Sequence, residues 1–106
     1  MKKITASTGN VFADLDLPNA DELQARAALT HQVYLSIKQR GFTQKQAAAQ
    51  LGLKQPDVSL LMRGRYTRFS TERLMRMLKA LGRDVEITVR QAPRSRSIGR
   101  VVVVSA

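Results

Sequence analysis

The sequence predicts a mainly α fold, a bundle of about four to five helices followed by a C-terminal β-strand. Three observations carry this. Helix-entry signals recur at Asn19, Thr43 and Ser70, each a side chain able to accept an orphan backbone N–H. Apolar residues behind each signal fall at helical spacing. From Arg83 to Arg90 the spacing switches to period two, as in a half-buried strand. At 106 residues the chain is bounded to one small domain with arms.

Residues 1–18 lack a long period and read as an extended N-terminal arm. Within it Val11 to Leu17 alternates weakly, so Phe12 and the leucines are placed to dock on the helical body. Asn19 then caps a helix, Glu22 is spaced to close a capping box, and the early acids Asp21 and Glu22 suit a helix N-terminus. No breaker follows until Gly41. Ala20 to Arg40 makes 21 positions, about 30 Å of helix at 1.5 Å per residue. Leu23, Ala27, Thr30, Val33, Tyr34 and Ile37 share its predicted face.

Thr43 and Gln46 have the spacing of a capping box. Ala47, Ala48 and Leu51 form the apolar face of a short helix, and Gly52 stands where a helix ends in a left-handed residue. Leu53 plugs the turn. A second helix starts near Gln55, and Pro56 is tolerated in its first turn because the missing N–H has no intrahelical partner there. Val58 and Leu61 face inward, and Gly64 ends the helix. Ser70 caps the next helix, with Phe69 and Leu74 at the spacing of a hydrophobic staple. Leu74, Met77, Leu78 and Leu81 form its stripe, and Gly82 ends it. In the predicted strand, Val85, Ile87 and Val89 face one way. That strand has no evident partner in a helical chain, so these residues are predicted to pair with a second subunit. Residues 91–106, with no acid after Glu86, read as a basic flexible tail. The expected division is therefore an arm over 1–18, a helical domain over 19–82, a strand over 83–90 and the tail.

Composition excludes several classes. There is no cysteine, hence no disulfide framework and no thiolate metal site. His31 is the single histidine and has no carboxylate one helical turn away. No nucleophile–base pairing, P-loop or dinucleotide fingerprint is legible. Neither an enzyme nor a cofactor is expected. No apolar run suits a membrane span, and Thr5 to Asn10 is no signal-peptide core, so the expected location is cytoplasmic. The net charge is +10, and it is unevenly spread. Residues 1–37 hold three cations against four acids, a balance of −1. Residues 38–106 hold fifteen cations against four acids, a balance of +11. A one-sided basic surface suits a polyanion.

The two short helices joined at Gly52 have the layout of a helix-turn-helix reader, in which the second helix lies in the major groove. Gln55, Pro56, Ser59, Leu60 and Arg63 share its exposed flank. Gln55 suits a bidentate contact to adenine, and Leu60 suits a thymine methyl. Arg63, Arg65 and Arg68 follow directly and suit phosphate oxygens.

The segment resembles the phage-repressor-like (XRE) helix-turn-helix family. The matching positions are Gln44, the small Ala48, the turn Gly52 and the aliphatics Val58 and Leu61. The resemblance implies that Gln44 binds a phosphate and buttresses Gln55, and that Gln55, Pro56 and Leu60 face bases. Lys54 departs from the usual Ser or Thr before the second helix, exchanging a capping oxygen for a phosphate-seeking charge. Leu60 stands where many members carry a polar residue. From Gly9 to Val89 the chain further resembles HigA-like antitoxins. The shared segments are Gly9 to Leu15, Leu17 to Glu22, Arg63 to Ser70 and Arg73 to Val85. This resemblance implies a homodimeric repressor on a palindromic double-stranded DNA operator, the antitoxin of a toxin–antitoxin pair with a RelE/HigB-like ribonuclease. Two alternatives remain at this stage. One is a protein-binding antitoxin for which DNA is secondary. The other is a nonspecific nucleic-acid binder.

Overall fold

The computed structural model of the chain describes residues 2–4 and 20–105. The predicted docking of Phe12 and the cap at Asn19 fall outside the described residues. In chain order the elements are β1 (Lys2–Ile4), α1 (Ala20–Gln39), α2 (Gln44–Leu51), α3 (Gln55–Met62), a 3-10 turn (Tyr66–Arg68), α4 (Thr71–Ala80) and β2 (Val103–Ser105). The mainly helical fold with a C-terminal strand is the predicted class. Helices α2 and α4 begin at the predicted caps Thr43 and Ser70. Gln46 N–H donates to Thr43 Oγ1 at 3.1 Å while Thr43 N–H donates to Gln46 Oε1 at 2.8 Å, completing the box. Arg73 N–H donates to Ser70 Oγ at 3.1 Å.

α1 is the spine, packed against α4, the 3-10 turn, α3 and β2. One apolar core joins Leu29, Val33 and Ile37 of α1 to Ala47, Val58, Leu61, Phe69 and the α4 stripe Leu74, Met77, Leu78 and Leu81. Each fully buried Leu, Val or Phe contributes about 1.5–3 kcal/mol of transfer free energy. The predicted face of α1 was displaced. Thr30, Val33 and Ile37 are buried, but Leu23, Ala27 and Tyr34 are only half-buried, and Ala25, Ala28 and Leu29 are buried beside them. Contact with several elements buries a wide arc of α1, which a single stripe does not describe. Polar residues share that arc, and Ser36 satisfies its hydroxyl by donating to Gln32 O at 2.8 Å.

The C-terminal end of α4 is tied down by side chains that satisfy its orphan carbonyls. Gln50 Nε2 donates to Ala80 O at 2.9 Å, and Arg40 Nη1 donates to Leu81 O at 3.1 Å. These bonds fix α2 and the end of α1 against α4, and so set the platform that carries α3.

The segment predicted as a strand, Arg83–Arg90, joins no ladder among the described residues. The described ladder is instead antiparallel β1–β2, with Lys2 opposite Ser105, Lys3 opposite Val104 and Ile4 opposite Val103. Within the stretch read as a basic tail, Val103 packs on the core and Val101 N–H donates to Asp21 Oδ2 at 3.3 Å. Arg83 Nη1 donates to Gln39 Oε1 at 3.1 Å. Residues 83–101 are thus held at one end of α1 by Gln39 and at the other by Asp21. Of the terminal valines, Val103 packs on the core while Val101, Val102 and Val104 stay exposed.

Candidate nucleic-acid interface

Two backbone devices aim α3. Gly52 has φ +65, a left-handed residue that lets its N–H reach Ala48 O and closes α2. Gly64, with φ +75, closes α3: Gly64 N–H donates to Leu61 O at 3.0 Å and Arg65 N–H to Leu60 O at 3.0 Å. This is the paired bonding of a Schellman motif. Between them, Val58 and Leu61 are 0% exposed and nail one flank of α3 to the core. Lys54 stands at the N-cap without a side-chain capping bond, as its lack of an acceptor requires.

The opposite flank is open. Gln55 and Pro56 are exposed, and Ser59 and Leu60 are half-buried. Gln44, at the start of α2, joins Gln55, Pro56 and Ser59 in lining one open depression. The turn therefore brings the two glutamines to one depression. The buttressing bond does not form: no hydrogen bond links Gln44 to Gln55 among the described residues.

Lys54, Arg63, Arg65 and Arg68 are all exposed around this flank. They are not equivalent. Arg63 folds back so that Nε donates to Ser59 O at 3.3 Å, placing its charge near the C-terminal end of α3, where a cation is favoured. Arg68 is engaged by Asp57 at 3.3 Å, with 57% of the arginine side chain and 20% of the carboxylate side chain exposed. Sequence reasoning missed Asp57. An acid in the first turn of α3 was visible, but its partner lies beyond the Gly64 turn. It also missed Arg73, whose guanidinium sits 5.1 Å from the Phe69 ring centre at the start of α4. Of the predicted dimerisation residues, Val85 is half-buried, whereas Ile87 and Val89 are 76% and 91% exposed.

The arrangement offers an amide, a ring and a hydroxyl on one helical flank, with exposed cations around it. That is the chemistry of base edges at the centre and phosphates at the rim. Among the described residues no group of His, Cys, Asp and Glu could hold a metal ion. No described helix is long and apolar enough to cross a membrane.

The family profile described as a helix-turn-helix domain matches residues 11–90. A solved chain provisionally described as an XRE family transcriptional regulator is 44% identical, with a TM-score of 0.76. The match covers 84% of this chain and 100% of that one. No curated protein matches the sequence.

Proposed function

Because the chain belongs to the helix-turn-helix domain family, we propose that it is a sequence-specific DNA-binding transcriptional repressor working as a homodimer on a palindromic operator. The observation that carries this reading is the two-sidedness of α3. Val58 and Leu61 are sealed at 0% exposure while Gln55, Pro56 and Ser59 share an open depression with Gln44. In the proposed complex Gln55, Pro56, Ser59 and Leu60 meet base edges, and Gln44, Lys54, Arg63, Arg65 and Arg68 meet phosphates. The solved relative described as a transcriptional regulator supports it.

Selection of bound duplexes from a random pool tests it. The expected result is an inverted repeat with half-sites about one helical turn, or 34 Å, apart. Recovery of no shared sequence would leave only nonspecific binding.

A second reading is neutralisation of a RelE/HigB-like ribonuclease, the partner implied by the resemblance to HigA-like antitoxins. A groove between α1 and the end of α3, lined in part by Ala27, His31, Tyr34, Met62 and Tyr66, supports it. Aromatic and methionine side chains are enriched at the centres of protein interfaces. Co-purification with a small ribonuclease, blocked by Tyr34→Ala, is the expected result.

A further inference from the structure

The stretch from Arg83 to Pro93 contains no helix, turn or bend. No backbone N–H or C=O from Asp84 to Ala92 is hydrogen-bonded among the described residues. Such a row of unpaired groups is a template for another strand. Its side chains point the same way. Val85 packs against the core, but Ile87 is 76% exposed and Val89 is 91% exposed. The stretch is nevertheless not adrift. Arg83 N–H donates to Leu78 O at 2.9 Å, and Val101 N–H is held at 3.3 Å by Asp21.

We infer that Asp84–Arg90 forms an antiparallel ladder with the same segment of a second copy, with the two-fold axis passing at Ile87. This deepens the dimeric reading proposed above and rests on it. The register follows from the sequence Asp-Val-Glu-Ile-Thr-Val-Arg. About Ile87, Asp84 stands opposite the partner's Arg90, Val85 opposite the partner's Val89, and Glu86 opposite the partner's Thr88. Ile87 meets its own copy. Every aliphatic then faces an aliphatic, and the two-fold repeats the Asp84–Arg90 ion pair. Opposed charges of unlike sign stabilise a strand pair, and like charges destabilise it.

The rival registers fail on the same chemistry. A parallel, in-register pair would stack Asp84 on Asp84 and Arg90 on Arg90. A slip of one residue would set aliphatics against polar side chains. Centring on Glu86 would oppose two carboxylates. Centring on Thr88 is the nearest competitor, but it sets Val85 against Gln91. The chosen register also explains Val89. It lies beside the partner's Val85, which is seated on the partner's core, so the pairing gives Val89 the cover its own chain lacks. The contact is isologous, as a closed dimer requires.

The chain has no cysteine, so a single substitution introduces a single thiol. Directly opposed Cβ atoms in a ladder lie about 4.5–5.5 Å apart, close to disulfide range. Ile87→Cys should become a disulfide-linked dimer on mild oxidation. Val85→Cys alone should not, because its own copy lies about four residues along the strand, roughly 13 Å away. Mixing Val85→Cys with Val89→Cys should cross-link the two. Asp84→Arg should weaken dimerisation roughly ten-fold, and Asp84→Arg with Arg90→Asp should restore it. Ile87 is exposed, so unchanged helical circular dichroism serves as the folding control. A wild-type mass of one chain by sedimentation at all concentrations would overturn both the ladder and the dimer. A wild-type dimer in which Thr88→Cys cross-links and Ile87→Cys does not would overturn the register and leave the dimeric repressor standing.

Discussion

Asp57 Oδ1 accepts two hydrogen bonds from Arg68, from Nε at 3.4 Å and from Nη2 at 3.3 Å, across the turn that ends α3. The carboxylate sits in the first turn of α3, where the helix dipole favours an anion. It is also an anion on the flank proposed to meet phosphates, so its two roles oppose each other.

Asp57→Asn separates them. The amide keeps an acceptor for Arg68 but loses the charge. An exposed ion pair contributes about 0–1 kcal/mol, and the dipole interaction about 0.3–1 kcal/mol. Thermal stability should therefore fall slightly. Affinity for every duplex should rise several-fold, because the negative charge that competes with phosphate for Arg68 is gone. The two changes are read by thermal unfolding and by fluorescence titration. A drop in affinity would mean that the position Asp57 gives Arg68 outweighs the charge it withholds.

Gln55 is the residue on which sequence choice rests. Its amide is exposed at the start of α3, beside Gln44. Gln55→Ala should lose about 1–3 kcal/mol of discrimination at a single base position. Competition among operator duplexes substituted one position at a time reads this directly. An unchanged order of preference would remove Gln55 from the base-reading set.

Arg65 and Arg63 make a contrasting pair. Arg65 is exposed, while Arg63 is committed to Ser59 O. Arg65→Ala should weaken binding to all duplexes alike and lower the salt slope by about 1. Arg63→Ala should do the same less strongly and also cost stability, since a cation at the C-terminal end of α3 contributes about 0.3–1 kcal/mol. Titrations across a salt series distinguish them. Equal slopes and equal stabilities would show that the backbone contact of Arg63 has no bearing on either.

What the sequence disclosed was local. Thr43 with Gln46, Gly52, and Ser70 are read within a few residues, and each was placed correctly. Val58 and Leu61 were legible because one flank of a short helix faces one core. The α1 face was not, because α4, α3, the 3-10 turn and β2 bury it over a wide arc. The β1–β2 ladder was not legible for a different reason. Period two marks Val85, Ile87 and Val89 as strand-like, but a ladder needs a partner, and β2 finds one in β1. The Asp57–Arg68 contact joins residues separated by a turn, and no local signal announces it.

Gly52 tests whether the turn is needed for shape or only for comfort. Its φ is +65, and a Cβ added there would meet nothing within 4 Å. Steric clash with neighbours is therefore absent, and the cost of Gly52→Ala is the left-handed backbone itself, about 1–2 kcal/mol. Part of that, about 0.4–1 kcal/mol, is offset because alanine restricts the unfolded chain. Net destabilisation should be close to 1 kcal/mol, measured by urea unfolding. The folded fraction should bind operator as the wild type does, since the direction of α3 is also held by Val58 and Leu61 in the core. A large loss of operator affinity at full folding would instead assign to Gly52 the angle between α2 and α3, and with it the pairing of Gln44 and Gln55 on one surface.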